Sequence, residues 1–254
     1  MLALKQLAKA AVQRACSPDL QRALRKRYLV RLMTNNQDTH EEELKALEFL
    51  IRPGDSVVDI GANIGQYTKS ASRLVGERGH VYAFEPVGDN YGVLETFVRK
   101  AKLSNVHCFQ LALGARSGSV EMVVPTMEGF RGFYWAHVAN DGEGGTRERV
   151  QLITLDRIWK EQIGRRVDFV KCDVEGGELG VIHGGLEMAR TDRPGWLVEV
   201  SKHTSGEVFD AFRGLGYRAF IYEGKLEPAS GYANGKSNYF FIHPESRVWD
   251  RMSL

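Results

Sequence analysis

The chain is 254 residues long, with 34 Lys+Arg against 32 Asp+Glu, 43% hydrophobic residues, 27 Gly and 7 Pro. This composition fits one soluble domain with an appendage and excludes collagen-like and low-complexity chains. Its longest apolar runs, such as 239–242, fall far short of the ~20 residues a membrane-spanning helix needs. Lys5, Lys9 and Arg14 interrupt any N-terminal signal-peptide stretch, and Cys16, Cys108 and Cys172 are too scattered for a disulfide framework or a metal pair. A reduced, cytoplasmic setting is expected.

Residues 1–31 carry eight Lys+Arg against one acid, Asp19, for a net of +7, which leaves −5 for the rest. Within an arm spanning residues 1–37, Ser17 and Pro18 start a helix in which Leu20, Leu24, Tyr28 and Leu32 recur at helical spacing. Such a basic amphipathic helix either packs its apolar stripe on the main domain or contacts an acidic surface, such as an anionic membrane or a glycan carrier. The acidic remainder offers no positive track to a phosphate backbone, so nucleic acid is not expected as a partner.

The main domain, 38–254, opens with Thr39-His40-Glu41-Glu42, which reads as a capping box, and Leu44, Leu47 and Ile51 supply the buried stripe of the helix that follows. Strands are then predicted at 56–60, 80–84, 106–111, 167–172 and 196–200, with helices at 66–74, 90–101 and 177–188 between them. Alternating β and α with nearly continuous apolar strands implies an α/β fold, a mostly parallel sheet covered by helices on both faces. Runs at 217–222 and 238–242, joined by a polar Gly-containing stretch, suit a C-terminal antiparallel hairpin. Strands at 119–124 and 149–153 flank an insertion, 125–150, rich in Gly and aromatics.

The first strand ends in Asp59-Ile60-Gly61-Ala62-Asn63-Ile64-Gly65, a tight turn into a helix whose glycines let a ligand approach the backbone. The second ends in Glu85-Pro86, with Glu85 twenty residues after Gly65, where an acid can accept hydrogen bonds from ribose hydroxyls. A dinucleotide site requires G-x-G-x-x-G; here Asn63 occupies the middle of the turn and the phosphate-cradling spacing is missing. The loop Asp59-x-Gly61-x-Asn63-x-Gly65 is instead similar to the methyltransferase pattern, and that resemblance implies S-adenosylmethionine rather than NAD. The fourth strand ends in Lys171-Cys172-Asp173-Val174-Glu175-Gly176-Gly177-Glu178, three acids in six residues. Helix capping by Asp173, with Glu175 and Glu178 in the first turn, accounts for part of that cluster. The fifth strand ends in Glu199, awkward in an apolar strand, followed by His203.

These stretches, with Thr154-Leu155-Asp156, resemble in order and spacing the FkbM family of S-adenosylmethionine-dependent methyltransferases over roughly residues 38 to 243. Gly177 and Gly88 depart from its usual Ala and Pro. The resemblance implies a Rossmann-like class I methyltransferase with a seven-stranded sheet, and O-methylation of a sugar, glycan or natural product. It implies that Asp59, Gly61, Asn63, Gly65 and Asp173 surround the methionine part of the cofactor, Glu85 and Pro86 the ribose, and Ala112 and Leu113 the adenine; ordinary strand-end packing explains the last two equally well.

An alcohol needs a base as its C–O bond forms, and Asp173, Glu199 and His203 are the candidates. Asp173 serves alternatively to orient the cofactor's amino group or the acceptor. Phe130, Phe133, Tyr134 and Trp135 of the insertion can stack on a sugar ring or macrocycle, with Glu175 on the acceptor side. The His and Asp spacing forms no compelling ligand set, and no metal is expected. The alternatives are an NAD-dependent oxidoreductase and a non-catalytic cofactor-binding scaffold.

Overall fold

The computed structural model describes residues 17–35, 42–124, 126–127, 130–131, 137–138 and 144–252. Along the chain, α1 (Pro18–Thr34) and α2 (Glu43–Leu50) precede β1 (Ser56–Ile60), α3 (Gln66–Val75), β2 (His80–Phe84), α4 (Gly88–Lys100) and β3 (Val106–Phe109). Short strands follow: β4 (Ala112–Leu113), β5 (Gly118–Val124), β6 (Thr126–Met127), β7 (Phe130–Arg131), β8 (His137–Val138) and the longer β9 (Thr146–Ile153). Then come α5 (Leu155–Ile158), extended by a π turn at Trp159–Ile163, β10 (Phe169–Cys172), α6 (Glu178–Gly184), α7 (Leu186–Asp192) and β11 (Gly195–Glu199). The chain closes with α8 (Ser205–Gly214), β12 (Arg218–Tyr222), β13 (Leu226–Ala229), β14 (Asn238–Ile242) and a 3₁₀ turn at Trp249–Arg251.

The central sheet runs β13-β12-β14-β11-β10-β1-β2-β3. Its five strands from β11 to β3 are parallel, with Val58 of β1 level with Tyr82 on one side and Val170 on the other. Successive side chains of a strand point to opposite faces. Val58, Ile60, Phe84 and Trp196 accordingly meet α5 to α8 through Leu155, Ile182, Met188 and Phe212. Val57, Val81, Phe169 and Leu197 meet α2 and α3 through Leu47, Leu50, Ala71 and Val75. Helices on both faces explain why β1, β10 and β11 are buried along nearly their whole length.

The expected seven strands are present, and β13 adds an eighth at the edge, antiparallel to β12. The expected terminal hairpin is thus a longer excursion: β12 pairs first with β13, and β14 then inserts antiparallel between β12 and β11. The 106–111 strand also divides. It stops at Phe109, and Ala112–Leu113 starts a second sheet, β4-β9-β5-β8, in which β5 and β9 pair antiparallel. The single helix expected at 177–188 breaks at Gly185 into α6 and α7. Asp156 explains the second start: its carboxylate accepts the backbone N–H groups of Glu187 (3.0 Å) and Met188 (2.8 Å) in the first turn of α7.

Thr39, His40 and Glu41 lie outside the described residues; Glu42 precedes α2 without a side-chain capping bond. Ser17 does cap α1, its Oγ accepting the Leu20 N–H, and Pro18 stands in the first turn. Of the expected stripe, Leu20, Leu24 and Tyr28 are exposed and do not pack on the main domain, while Leu32 is half-buried beside Leu29, Val30 and Met33, which pack against Ile64, Val93 and Phe97. The sequence is apolar on two sides of this helix, and the side nearer its C-terminus is the one that docks.

Candidate active site

Parallel strands deliver their carboxyl ends to one edge of a sheet, and a crevice opens where strand order reverses. Here that point lies between β1, which leads outward to β2 and β3, and β10, which leads to β11. The cleft at this point is lined by Gly61, Asn63, Glu85, Pro86, Val87, Asn90, Met122, Asp173, Val174 and Glu175.

The turn after β1 is shaped for close approach. Gly61 has φ +73°, and a Cβ there would stand 1.8 Å from the Asp173 carbonyl oxygen, so only glycine lets the ends of β1 and β10 meet. Asn63 follows with a positive φ of 53°. Its backbone N–H donates to Glu85 Oε2 at 2.8 Å, and the Val87 N–H donates to Oε1 at 2.9 Å. Glu85 is thereby fixed across the cleft. Burial raises its pKa to about 7, the two backbone donors offsetting only part of that cost.

A second, charged layer lies beside this one. Lys171 sits in the middle of β10, level with Asp59, and its Nζ lies 3.2 Å from Asp173 Oδ2, 3.8 Å from Asp59 Oδ1 and 2.9 Å from the Gly61 carbonyl oxygen. Burial alone would lower the Lys171 pKa, but Asp173 and Asp59 outweigh it and raise it. Asp59 is buried, accepts a 2.6 Å hydrogen bond from Thr68 Oγ1, and is raised by that burial. Asp173 and Glu199, at the ends of neighbouring strands, share a hydrogen bond. Burial pushes Glu199 up to about 8, helped by the hydrogen bond and charge of Asp173. Asp173 resists burial because Lys171 and the Glu199 hydrogen bond hold it below its usual value. One proton is therefore shared by the pair near neutrality, carried by Glu199.

The expected cap at Asp173 is corrected. Glu178 anchors the loop instead: its Oε1 accepts the N–H groups of Val174 and Gly176, both at 3.1 Å, and α6 begins without a side-chain cap. That anchoring turns Glu175 into a left-handed conformation, φ 53°, at the cleft. Oxygens of Asp173, Glu175 and Glu199 lie within 4.8 Å of one another, a spacing that would also suit a cation. Lys171 and the shared proton already bind Asp173 and Glu199 together.

Other expected residues lie elsewhere. Ala112 and Leu113 are buried in β4, packed among Met122 and Val150 and against the main core. Gly65 supports α3, a Cβ there meeting Leu94 at 2.8 Å. His203 is exposed in the turn after β11, and among the described residues nothing hydrogen-bonds it to Asp173 or Glu199. Phe133, Tyr134 and Trp135 lie outside the described residues, as does the Phe130 side chain. Sequence reasoning missed Lys171, Thr68, Asn90 and Met122. A lysine inside an otherwise apolar strand was the available signal for the first; Met122 reaches the cleft only because β5 folds back over it, and Glu148 of β9 fixes that sheet to the Gly88 N–H.

Comparison with known proteins fits this geometry. The model of the methyltransferase FkbM domain matches residues 59–219. The chain belongs to this family. The FkbM match begins at Asp59 and spans both charged layers of the site. Methyltransferase 1 of Beauveria bassiana (strain ARSEF 2860) is 25% identical over 148 residues, covering 52% of this chain and 59% of the relative. A crystal structure of methyltransferase FkbM from Methylobacillus flagellatus KT, 16% identical, superposes with a TM-score of 0.52 over 74% of this chain and 44% of that one. The chain thus spans about half the length of these relatives. The FkbM domain uses S-adenosylmethionine, and the cleft fits it. Among the described residues Asn63 Oδ1 is buried without a hydrogen-bond partner, an acceptor open to an amino donor, and Glu85 lines the same cleft with its carboxylate held by two backbone N–H groups.

Proposed function

We propose that the protein is an O-methyltransferase acting on a hydroxyl of a sugar, glycan or natural-product acceptor. The Asp173–Glu199 pair carries this reading. An alcohol becomes a competent nucleophile only as its proton leaves, and a base of pKa near the working pH is the efficient receiver. Glu199, at about 8, has that basicity in its ionised form, and the lowered Asp173 keeps its charge beside it.

When bound, S-adenosylmethionine supplies an electrophilic methyl group on a sulfonium. The residues of this chain position and deprotonate. Gly61 lets the ligand lie against the backbone, Asn63 Oδ1 accepts from the amino group, and Glu85 accepts from the ribose hydroxyls. Asp173 orients the acceptor hydroxyl, and its proton passes to the pair, with the base assigned to Glu199 rather than to exposed His203. Only the ionised fraction of Glu199 can take this proton; its arrival removes one negative charge from the pair, and Lys171 keeps Asp173 ionised beside it. Glu175, held at the cleft, and the aromatics Phe130, Phe133, Tyr134 and Trp135 form the acceptor side. The −5 charge of the chain after residue 31 favours a neutral glycan over a polyphosphate.

The test is transfer of isotope-labelled methyl from S-adenosylmethionine to a panel of hydroxylated glycans and macrolactones, followed by alkali. A methyl ether survives alkali, whereas a methyl ester is hydrolysed. Retained label on the acceptor supports the assignment; label lost to alkali, or found on nitrogen, refutes it.

A further inference from the structure

Leu20, Leu24 and Tyr28 are 48%, 44% and 64% exposed, and among the described residues they are the large apolar side chains that stand exposed. They fall at i, i+4 and i+8 of α1, on one face of one helix. By the same periodicity Arg27 and Arg31 share that face; both are exposed, and among the described residues neither enters an ion pair. The opposite face is committed. Leu29, Val30 and Met33 pack on Val93 and Phe97 of α4, Arg22 lies 3.7 Å from Asp89, and Arg25 Nη2 donates to Asn90 Oδ1 at 3.2 Å. The helix is already seated by its inner face, which leaves the outer stripe open to a partner.

We propose that α1 docks the protein on an anionic lipid surface, lying in the membrane plane. Leu20, Leu24 and Tyr28 enter the boundary between headgroups and acyl chains, and Arg27 and Arg31 meet the acidic headgroups. Charge selects this occupant. A second copy of the chain would set Arg27 and Arg31 against their own counterparts, and residues 1–16, which hold Lys5, Lys9 and Arg14 and no acid, would likewise add cation to cation. An anionic bilayer accepts all of these charges at once. Arg25 ties the docked helix to Asn90, a residue of the cleft, so docking sets the cleft beside the lipid and favours an acceptor carried there. That consequence rests on the proposed methyl transfer; the docking itself does not.

The experiment is vesicle flotation of the full chain with phosphatidylcholine alone and with added phosphatidylglycerol, alongside its mass by light scattering. Flotation is expected with the anionic vesicles and not with phosphatidylcholine, and it weakens in high salt. The triple variant Leu20→Gln, Leu24→Gln, Tyr28→Ser loses it by about tenfold or more, and Arg27→Gln with Arg31→Gln removes the preference for anionic lipid. Both variants touch only the outer face and keep the melting temperature and S-adenosylhomocysteine affinity. Flotation that survives the triple variant overturns the proposal, as does its absence in the parent. A dimer dispersed by the triple variant without any lipid binding assigns the stripe to contact between copies and overturns it too. Failure of methyl transfer with flotation intact would count against the proposed function alone.

Discussion

The two ends of β1 and β10 are both lined with carboxylates. At the amino ends, Asp55 accepts the Arg52 N–H at 2.8 Å and a fork from Arg251, and Asp168 accepts the Ser56 N–H at 3.1 Å with Arg166 and Arg247 within 3.7 Å. Asp192 similarly accepts the Val167 N–H at 2.8 Å. Cations and amides are plentiful there, and the carboxylates stitch strand starts to the C-terminal turn. At the carboxyl ends, Asp59 and Asp173 share the single ammonium of Lys171, and Glu199 is held by a proton rather than a cation. A fold maintained for stability alone would treat both ends like the first. Burial first, and the hydrogen bond and charge of Asp173 beside it, leave the Glu199 carboxyl able to exchange a proton near neutral pH, at a cost in stability.

Glu199→Gln breaks the comparison most sharply. Turnover is expected to fall by about 10²–10⁴, and the rise of the parent's rate through about pH 8 should vanish from its kcat profile. Stability moves the other way. Glu199 binds its proton more tightly folded than unfolded, so its contribution is full below the ordinary carboxyl range and is lost as pH rises through about 8. Gln cannot lose that proton, and the variant should melt higher than the parent above that pH, by differential scanning calorimetry. A variant that is slow and also less stable there would show that Glu199 is structural.

Lys171→Met removes the cation that, among the described residues, pairs with both Asp59 and Asp173 at the carboxyl ends. Breaking a buried pair in this way costs about 3–5 kcal/mol, on the order of 10 °C in Tm for a chain of this size. Because the penalty comes from carboxylates left without a partner, adding Asp59→Asn should recover part of it. An undiminished loss in the double variant would place the role of Lys171 in packing.

Arg251→Ala tests the other end. Losing its fork to Asp55 and its bond to the Leu50 carbonyl oxygen should cost about 2–3 kcal/mol, roughly 4–12 °C. The dissociation constant for S-adenosylhomocysteine should stay unchanged at a temperature where both proteins are folded. A shift in that constant would mean the two ends are coupled through β1 and that their separation is false.

This division explains what was legible beforehand. The parallel strands announced themselves because burial on both faces makes them mostly apolar, and the acids at their ends broke that pattern visibly. Asp173 and Glu199 stood out on that signal, and Glu85 by its spacing after Gly65; the structure places Glu85 and Asp173 on the cleft and Glu199 beside Asp173. Lys171 did not stand out, because its meaning depends on lying level with Asp59 across a hydrogen-bonded register, which one strand cannot display. β13 escaped notice for a different reason. It is an edge strand carrying Pro228, so it needs neither two apolar faces nor every backbone donor. In α1 the spacing of Leu20, Leu24, Tyr28 and Leu32 was legible as a stripe but its partner was not, since periodicity gives a face and not what covers it; Leu32 packs on the domain and the other three do not.

Glu85 sharpens the comparison within the carboxyl ends, because it is held by amides and yet lies at about 7. Ribose hydroxyls donate to a carboxylate more strongly than to a neutral acid, so binding draws the proton off. Below the free-state value that deprotonation opposes binding, and affinity should rise by up to about tenfold per pH unit, flattening about one unit above it. Calorimetric titration with S-adenosylhomocysteine in buffers of different ionisation enthalpy would count the proton released. Glu85→Gln, which can still hydrogen-bond but cannot ionise, should bind more weakly at high pH and show no slope attributable to this site. If the parent's affinity is flat and no proton is released, the Glu85 carboxylate is already ionised in the free protein, and the proton held near neutrality belongs to the Asp173–Glu199 pair and not to Glu85.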